Sequence, residues 1–392
     1  MGVRAVSKKP NSSNEKAAPA AAKTKNEAKE PLIHLTKRTD FSVARAWRIR
    51  IIAFFVAFLV CGAVAFILIK SLRSEPERIG EFYKSFITGS FGNEDRVWTF
   101  LKDLSILLCI SLALTPAFRM KYWNIGAEGQ TLMGIFGCIA VAVYFGNSVS
   151  KPLLIVMMLL GALLCGAIWA LIPAIFKSIW NTNETLFTLM MNYIATFFVA
   201  FFVKIWIPNG NSSLGRVDAS ALFSENRTAY LFVILSTVVF TVVMYIYLNR
   251  TKHGYEISVV GESQNTARYI GINVWKVCIR TNLISGALCG FTGFLLGAGL
   301  NQTINPESVG GQGFTAIMVS WLGEFNPALM TITSALITFL NKGGDQILET
   351  FNLRGAFSDV IVGIILLFII GCEFFMNYKI HIRKSNKEEN KK

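Results

Sequence analysis

Charge is scarce in this chain, and the motifs of the common enzyme classes are absent from it. Charged residues make up 16% of its 392 residues and hydrophobic residues 53%, an unusual balance for a soluble protein of this length. The three histidines form no HExxH motif, and no GxSxG elbow or GxxxxGK[ST] phosphate loop occurs. We therefore predict that the chain is not an enzyme and that it holds no metal and no other cofactor of its own.

Cysteines are also few, and none occurs at the CxxC spacing of redox or metal motifs. All seven lie in apolar stretches, at Cys61, Cys109, Cys138, Cys165, Cys278, Cys289 and Cys372. We interpret them as small residues that pack within those stretches, so neither disulfides nor a metal framework is expected.

Long apolar runs take the place of charge. Several reach about 20 residues, the length that crosses a hydrocarbon core of about 30 Å. Predicted spans lie at 49–70, 100–119, 123–146, 152–176, 184–206, 228–249, 276–300, 326–342 and 358–377. The short segment 314–324 is either another span or a re-entrant half-helix. The predicted fold is an all-α, polytopic transmembrane helical bundle of about ten spans, with counts of eight or nine left open.

The net charge is +14, and the basic residues cluster in three segments, at 1–50, 250–280 and 379–392. This is the pattern of cytoplasmic loops under the positive-inside rule, so we predict cytoplasmic termini and no nucleic-acid partner. Residues 1–45 are predicted to be a disordered basic tail, 46–378 the transmembrane domain and 379–392 a second basic tail. Segment 71–99, with a short surface helix, and segment 207–227 are predicted to be external.

Amides and a carboxylate interrupt two of the predicted spans. Asn124, Glu128 and Gln130 stand at the head of one span, and Asn192 lies inside another. Polar groups at membrane depth are costly unless they meet partners or border a cavity. We therefore predict that these four residues help to form or shape a polar translocation path. For Asn192, a hydrogen bond to a neighbouring helix is the alternative interpretation.

Ionisable residues inside the spans are too few for a proton relay. The candidates are Asp103, Glu128, Glu184 and Asp359. Ion-driven pumps usually need a chain of such groups, so the shortage argues against an ion-coupled secondary transporter, which remains the alternative class. It favours a passive route for an uncharged polar solute, with the work done by another chain.

Two further segments indicate contacts between helices and between chains. One face of the span at 276–300 carries glycines at offsets of 4, 3 and 4, namely Gly286, Gly290, Gly293 and Gly297. Glycines so placed allow close helix packing, beside the pathway or against a second subunit. Segment 254–272 is either a solvated loop or an amphipathic element that receives motion from a partner. Its candidate coupling residues are Gly254, Gly261, Ala267, Arg268 and Gly271.

Several motifs of this chain occur together in one known family. They are NIGAEGQ at 124–130, NE at 183–184 with TLM at 188–190 and NYIA at 192–195, SGALCG at 285–290, and GF at 313–314. With them, the chain resembles, over roughly 50–377, the permease subunits of ATP-binding-cassette (ABC) importers for branched-chain amino acids and simple sugars. The nucleoside-uptake branch is the most similar. Ser258, Ser263 and Thr266 depart from the family pattern in the 250–275 coupling loop.

The resemblance implies the remainder of a transport machine in a bacterial cytoplasmic (inner) membrane. Such a permease pairs with a second homologous permease, contacts the lipid bilayer and binds a cytoplasmic ABC ATPase that carries ATP and Mg. It receives solute from an extracytoplasmic solute-binding lipoprotein. The expected solute is a nucleoside, and a simple sugar or a riboflavin-like vitamin is the alternative.

Overall fold

The computed structural model describes residues 33–37, 79–207, 214–215, 217, 226–351 and 378–382, with single positions between 48 and 63 and between 360 and 371. The chain divides into two units, one made of residues 1–51 and 371–392 and the other of residues 52–370. The predicted first and last spans, 49–70 and 358–377, lie almost wholly outside the described residues.

The regular structure of the larger unit is helical among its described residues, as predicted. Its helices are α1 (Ile79–Phe91), α2 (Glu94–Arg119), α3 (Ala127–Phe145), α4 (Lys151–Trp180), α5 (Glu184–Trp206), α6 (Asn226–Arg250), α7 (Lys252–Glu262), α8 (Gln264–Tyr269), α9 (Val274–Phe294), α10 (Gln312–Leu322) and α11 (Pro327–Phe351). A π-helical segment, Leu295–Asn301, extends α9.

Six of the described helices are long and apolar enough to cross a membrane, namely α2 to α6 and α9 with its π extension. This finding confirms a polytopic helical protein. Helix α10 has 11 residues, and at about 1.5 Å per residue it reaches only about half of a bilayer core. It therefore has the length of a half-helix, one of the two predictions for this segment.

The candidate spans form a central and a peripheral set. In α2, α3 and α9 the most apolar stretches are 61%, 61% and 67% buried, whereas in α4, α5 and α6 the values are 28%, 33% and 28%. The peripheral helices expose Leu, Ile, Val and Phe, such as Leu160, Phe197 and Val239. Large apolar faces turned outward suit a lipid environment, because lipid does not penalise them as water does.

Glycines bring the central helices into backbone contact. A Cβ atom on Gly293 of α9 would lie 2.6 Å from the Thr131 carbonyl oxygen of α3. One on Gly286 would lie 2.5 Å from the Gly166 carbonyl oxygen of α4. Gly290 faces the backbone of α4, and Gly297 faces Cys138 of α3. The glycine face of α9 therefore packs against its own neighbours within this chain.

Two predicted elements differ from the structure. The span predicted at 123–146 begins only at Ala127, because residues 123–126 are coil. The helix predicted to lie on the surface within 71–99 is α1, but its Phe82 and Phe86 are fully buried. Phe86 packs on Gly343 of α11, so α1 belongs to the helical bundle.

The smaller unit contains a two-stranded antiparallel sheet that the sequence did not predict. Strand β1 (Ile33–Lys37) pairs with β2 (Tyr378–Ile382), with Ile33 opposite Ile382. The all-α prediction thus holds for the helical bundle but misses this sheet. The rest of the predicted disordered tail, 1–45, and of the basic tail, 379–392, lies outside the described residues.

Candidate functional site

The coil between α2 and α3 contains the motif that the sequence singles out. Asn124 is fully buried there, and its side-chain oxygen accepts a hydrogen bond from the backbone N–H of Gly126 at 2.9 Å. The same oxygen accepts from Gln130 Nε2 at 3.2 Å, and Asn124 Nδ2 donates to Gln130 Oε1 at 3.3 Å. The two amides therefore satisfy each other and hold the coil against the first turn of α3.

Helix α5 supplies the hydrogen-bond partners that the coil lacks. Asn192 accepts from the Gly129 N–H at 2.9 Å and donates to the Ile125 carbonyl at 3.0 Å. One turn earlier, the Thr188 hydroxyl accepts from the Ile125 N–H at 3.1 Å. Asn192 thus makes the inter-helix hydrogen bonds that were its alternative interpretation. They lie about 12 Å along the helix from its start at Glu184.

Glu128 joins the beginnings of two helices. Its side chain projects from the first turn of α3, and its oxygens accept from the N–H groups of Gly311 at 2.8 Å and Gly313 at 2.7 Å. These amides belong to the N-terminus of α10, which has no cap from its own Gly311. The carboxylate satisfies them and complements the positive end of the α10 dipole.

These groups form a closed arrangement that we call the motif cradle, consisting of residues 123–130 with Thr188, Asn192, Gly311 and Gly313. It brings all four predicted path residues together. Their polar groups bind protein atoms, so the cradle itself presents few unpaired donors or acceptors. Gly313 is needed for this contact, because a Cβ there would lie 2.6 Å from the Glu128 Cα.

Unpaired polar atoms occur on the stretch that leads from the π segment of α9 to α10. The buried oxygens Thr303 Oγ1 and Gln312 Oε1 have no hydrogen-bond partner among the described residues. Nearby, Gln302 adopts a left-handed conformation with φ of 52°. π-helical turns occur frequently at functional sites. Sequence reasoning missed Thr303 and Gln312, although Gln312 stands within a Gly-rich bend that a sequence can show.

An aromatic group extends outward from Trp123 of the cradle. Trp123 stacks on Trp321 of α10, with ring centroids 5.0 Å apart and planes 21° apart. Phe118 makes edge contacts with both rings. The two indoles remain 44% and 43% exposed, so their stacked pair forms part of the outer surface of this chain. Nothing in the sequence pairs these two tryptophans, which are far apart along the chain.

The other ionisable residues predicted inside the spans are paired where they are described. Asp103 contacts Lys342 of α11 at 2.6 Å, and Glu184 contacts Lys177 of α4 at 2.8 Å. Asp359 lies outside the described residues. The paired carboxylates link neighbouring helices and do not form a chain of proton-exchanging groups.

The segment predicted to couple to a partner folds into α7 and α8, which we call the short helix pair. Thr251 caps α7 by accepting from the Gly254 N–H at 3.1 Å, and Ser263 caps α8 by accepting from the Thr266 N–H at 3.2 Å. Ser caps a helix as well as Asn does. The departure from the family pattern at Ser263 therefore preserves the local structure.

One face of the short helix pair packs on the end of α2. A Cβ on Gly261 would lie 3.1 Å from the Arg119 carbonyl carbon, so only glycine allows this approach. Outside this contact the pair is open, with Tyr269 94% exposed and Arg268 also exposed. All five predicted coupling residues lie on or beside this pair, three of them buried (Gly254, Gly261 and Ala267) and two exposed (Arg268 and Gly271).

Comparison with known proteins identifies the family of this chain. A family model described as the permease component of the branched-chain amino acid transport system matches residues 97–370. The matched region covers most of the chain and includes both the motif cradle and the short helix pair.

Curated relatives extend the comparison. The chain is 28% identical to the glucose ABC transporter permease protein TsgB13 of Haloferax volcanii over 351 residues, which cover 83% of this chain and 88% of that protein. It is 28% identical to the guanosine ABC transporter permease protein NupP of Bacillus subtilis over 297 residues, 73% and 84% of the two chains. The nucleoside ABC transporter permease protein NupB of Lactococcus lactis is 26% identical over 276 residues, 67% and 75% of the two chains.

Proposed function

This chain belongs to the family of permease components of branched-chain amino acid transport systems, and on that premise we propose that it forms the transmembrane path of an ABC importer for nucleosides. The protein is a multi-pass membrane permease of the ABC importer class. Two of the three relatives named above are permeases for guanosine or nucleosides, which favours a nucleoside as the solute. A glucose permease is equally similar in identity, so a simple sugar is the second candidate.

The observation that carries a transport path is the carboxylate bridge between two interrupted helices. Helices α3 and α10 both begin at the motif cradle, and Glu128 binds their N-termini together. Discontinuous helices that meet inside a bundle are typical of solute sites in transporters. Irregular backbone at membrane depth is tolerated where protein or a water-filled cavity surrounds it.

The four predicted residues shape the path by fixing this junction. Asn124, Gln130 and Asn192 hold the coil, and Glu128 holds α10. The solute itself meets the unpaired oxygens of Thr303 and Gln312, on the stretch that leads from the π segment to α10. An uncharged ligand rich in hydroxyl and amide groups, such as a nucleoside, matches these acceptors without bringing charge into the membrane.

ATP hydrolysis belongs to a separate subunit that docks on the short helix pair. The pair offers exposed Tyr269 and Arg268 on a rigid support, because its other face is fixed to α2 through Gly261. A nucleotide cycle on the ATPase would shift the permease between two states through this contact. We further propose a second homologous permease and an external binding lipoprotein as partners, in a bacterial inner membrane.

The full topology is proposed to have ten spans with both termini in the cytoplasm. Strand β1 precedes the predicted spans in the sequence and β2 follows them, and two strands can pair only on the same side of a membrane, so their pairing supports an even number of crossings. The basic loop and tails favour the cytoplasm for that side.

Reconstituted transport tests the proposal. The chain, assembled with its partner subunits in proteoliposomes, should accumulate radiolabelled guanosine when ATP is supplied on the side of the ATPase. Vanadate should stop uptake and a proton ionophore should not. Unlabelled nucleosides should compete, whereas glucose and riboflavin should not. Competition by glucose alone would replace the nucleoside with a sugar, and ionophore-sensitive, ATP-independent uptake would contradict the importer.

A further inference from the structure

A cavity of about 700 Å³ lies between the short helix pair and the adjoining ends of α4, α5 and α9. Its lining includes Lys121, Tyr122, Lys177, Arg268 and Trp275. Neither the solute path nor the packing of the bundle uses this space, and of the lining residues only Arg268 also belongs to the proposed docking surface for the ATPase. Its volume is that of a site for a small molecule or a lipid headgroup.

The charge of the cavity is positive. Lys177 is neutralised by Glu184 at 2.8 Å, and Glu184 is the one carboxylate in the lining. Lys121 and Arg268 make no ion pair with any described residue. Lys121 lines the cavity and lies in a tight turn in which its φ is 58°. Two unpaired cations beside a concave surface attract an anion.

A buried hydroxyl adds a donor to these cations. Tyr122 is only 4% exposed, and its hydroxyl has no hydrogen-bond partner among the described residues. Burial, with the nearby Cys278 and Glu184, raises the pKa of Tyr122, so the phenol remains protonated at neutral pH. A buried donor without a partner is costly, and a bound acceptor would remove that cost.

The position of the cavity along the membrane normal suits a phosphate. Trp180 and Trp275 are exposed at the ends of α4 and α9, and exposed Trp at span ends marks the headgroup level of a bilayer. On the proposed topology this is the cytoplasmic leaflet, where anionic phospholipids and free phosphate esters are both available.

We propose that this cavity binds a phosphate-bearing anion, paired with Lys121 and Arg268 and hydrogen-bonded by the Tyr122 hydroxyl. The ligand is the headgroup of an anionic phospholipid or a free phosphate monoester, which share this chemistry. Because Tyr122 immediately precedes the motif cradle, occupancy of the cavity would steady the coil on which the cradle is built.

The test uses the full chain in its native assembly, in nanodiscs of phosphatidylcholine. One arm titrates short-chain phosphatidylglycerol, and the other titrates glycerol 3-phosphate, a phosphate monoester that is neither a nucleoside nor a nucleotide. Saturable binding in either arm supports the proposal and identifies the source of the phosphate. Lys121→Asn, which suits the left-handed backbone, and Arg268→Gln should each weaken binding about tenfold, and Tyr122→Phe a few-fold. Higher salt should also weaken it.

Lys276→Gln is the matched control, because Lys276 is exposed near the same span end and lies outside the cavity lining. It should leave binding unchanged. Without ligand, Tyr122→Phe should keep or slightly raise the melting temperature, because it removes an unpaired buried hydroxyl. The proposed site would be overturned if neither arm showed saturable binding, or if binding were unchanged in all three cavity variants. Either result would leave the transport proposal intact.

Discussion

The motif cradle and the short helix pair are both polar segments next to apolar helices, but their polar groups differ in burial and in hydrogen bonding. In the cradle, the side chains of Asn124, Gln130 and Asn192 hydrogen-bond to each other or to backbone. On the short helix pair, Arg268 and Tyr269 stand exposed, and the cavity beneath holds an unpaired hydroxyl.

The cradle is therefore a structural support, which we call the frame, whereas the short helix pair is a contact surface for other molecules. Polar groups buried far from water must be satisfied internally, so the cradle resists change and fixes where α3 and α10 begin. Exposed polar groups can hydrogen-bond to water, so they cost little free energy while no partner is bound. We infer that substitutions in the cradle act first on stability, whereas substitutions on the open face of the helix pair act on communication with other molecules.

The largest effect is expected from Asn192→Ala. It leaves the Gly129 N–H and the Ile125 carbonyl unpaired, at a cost of about 3 kcal/mol in the free energy of unfolding. Thermal unfolding of the purified assembly measures the loss, and uptake should fall with it. Asn265→Ala, at an exposed position of α8, is the control and should change the melting temperature little.

A smaller loss is expected from Glu128→Gln. The amide can accept from only one of the two α10 amides, so stability should fall by about 2 kcal/mol, and α10 should exchange its first backbone hydrogens faster. Hydrogen exchange read by mass spectrometry measures this. Glu262→Gln, an exposed substitution at the end of α7, should not have this effect. Unchanged exchange at α10 in the Glu128 variant would refute the bridge.

Gly261→Ala should disturb the packing of the short helix pair on α2. The new methyl meets the backbone of Arg119 and pushes α7 from α2, at about 1–2 kcal/mol. ATP hydrolysis should continue while solute transport per ATP falls. Gly80→Ala in α1, where the added carbon meets no neighbour, is the control. Equal transport per ATP in wild type and the Gly261 variant would contradict the coupling role.

The smallest change in stability is expected from Arg268→Glu. An exposed substitution usually shifts stability by no more than about 0.5 kcal/mol. Stimulation of the ATPase by the permease should nevertheless drop, because the docking face has reversed its local charge. Lys276→Glu reverses a nearby exposed charge and serves as the control. A fall in melting temperature without a change in ATPase stimulation would show that Arg268 stabilises the fold and does not contact the ATPase.

The sequence singled out four side chains of the cradle, those of Asn124, Glu128, Gln130 and Asn192, but not the hydrogen bonds that they make. Amides and a carboxylate in apolar runs are visible, and their cost at membrane depth marks them. The partners of Glu128 are backbone amides 183 and 185 residues away, which carry no side-chain signal. For the same reason the break at 123–126 was missed, since hydropathy does not register a coil whose amides are satisfied from another helix.

The sequence left segment 254–272 open as a solvated loop or an amphipathic element, and the structure has two helices there. Thr251 and Ser263 are good capping residues ahead of amphipathic turns, and both cap helices in the structure. Its cavity was not predictable, because the lining comes from segments distant in sequence. The sheet of β1 and β2 also depends on pairing between the two ends of the chain, which no local pattern reports.

Thiol labelling tests the central claim most directly, namely that the cradle is a sealed frame beside a solute path. Single cysteines at Thr303, at Gln312 and, in the cradle, at Thr188 would be exposed to a small water-soluble maleimide in the reconstituted importer. We expect labelling at positions 303 and 312 in at least one nucleotide state, reduced by nucleoside, and none at 188 in any state. Labelling at 188 with none at 303 and 312 would contradict the account.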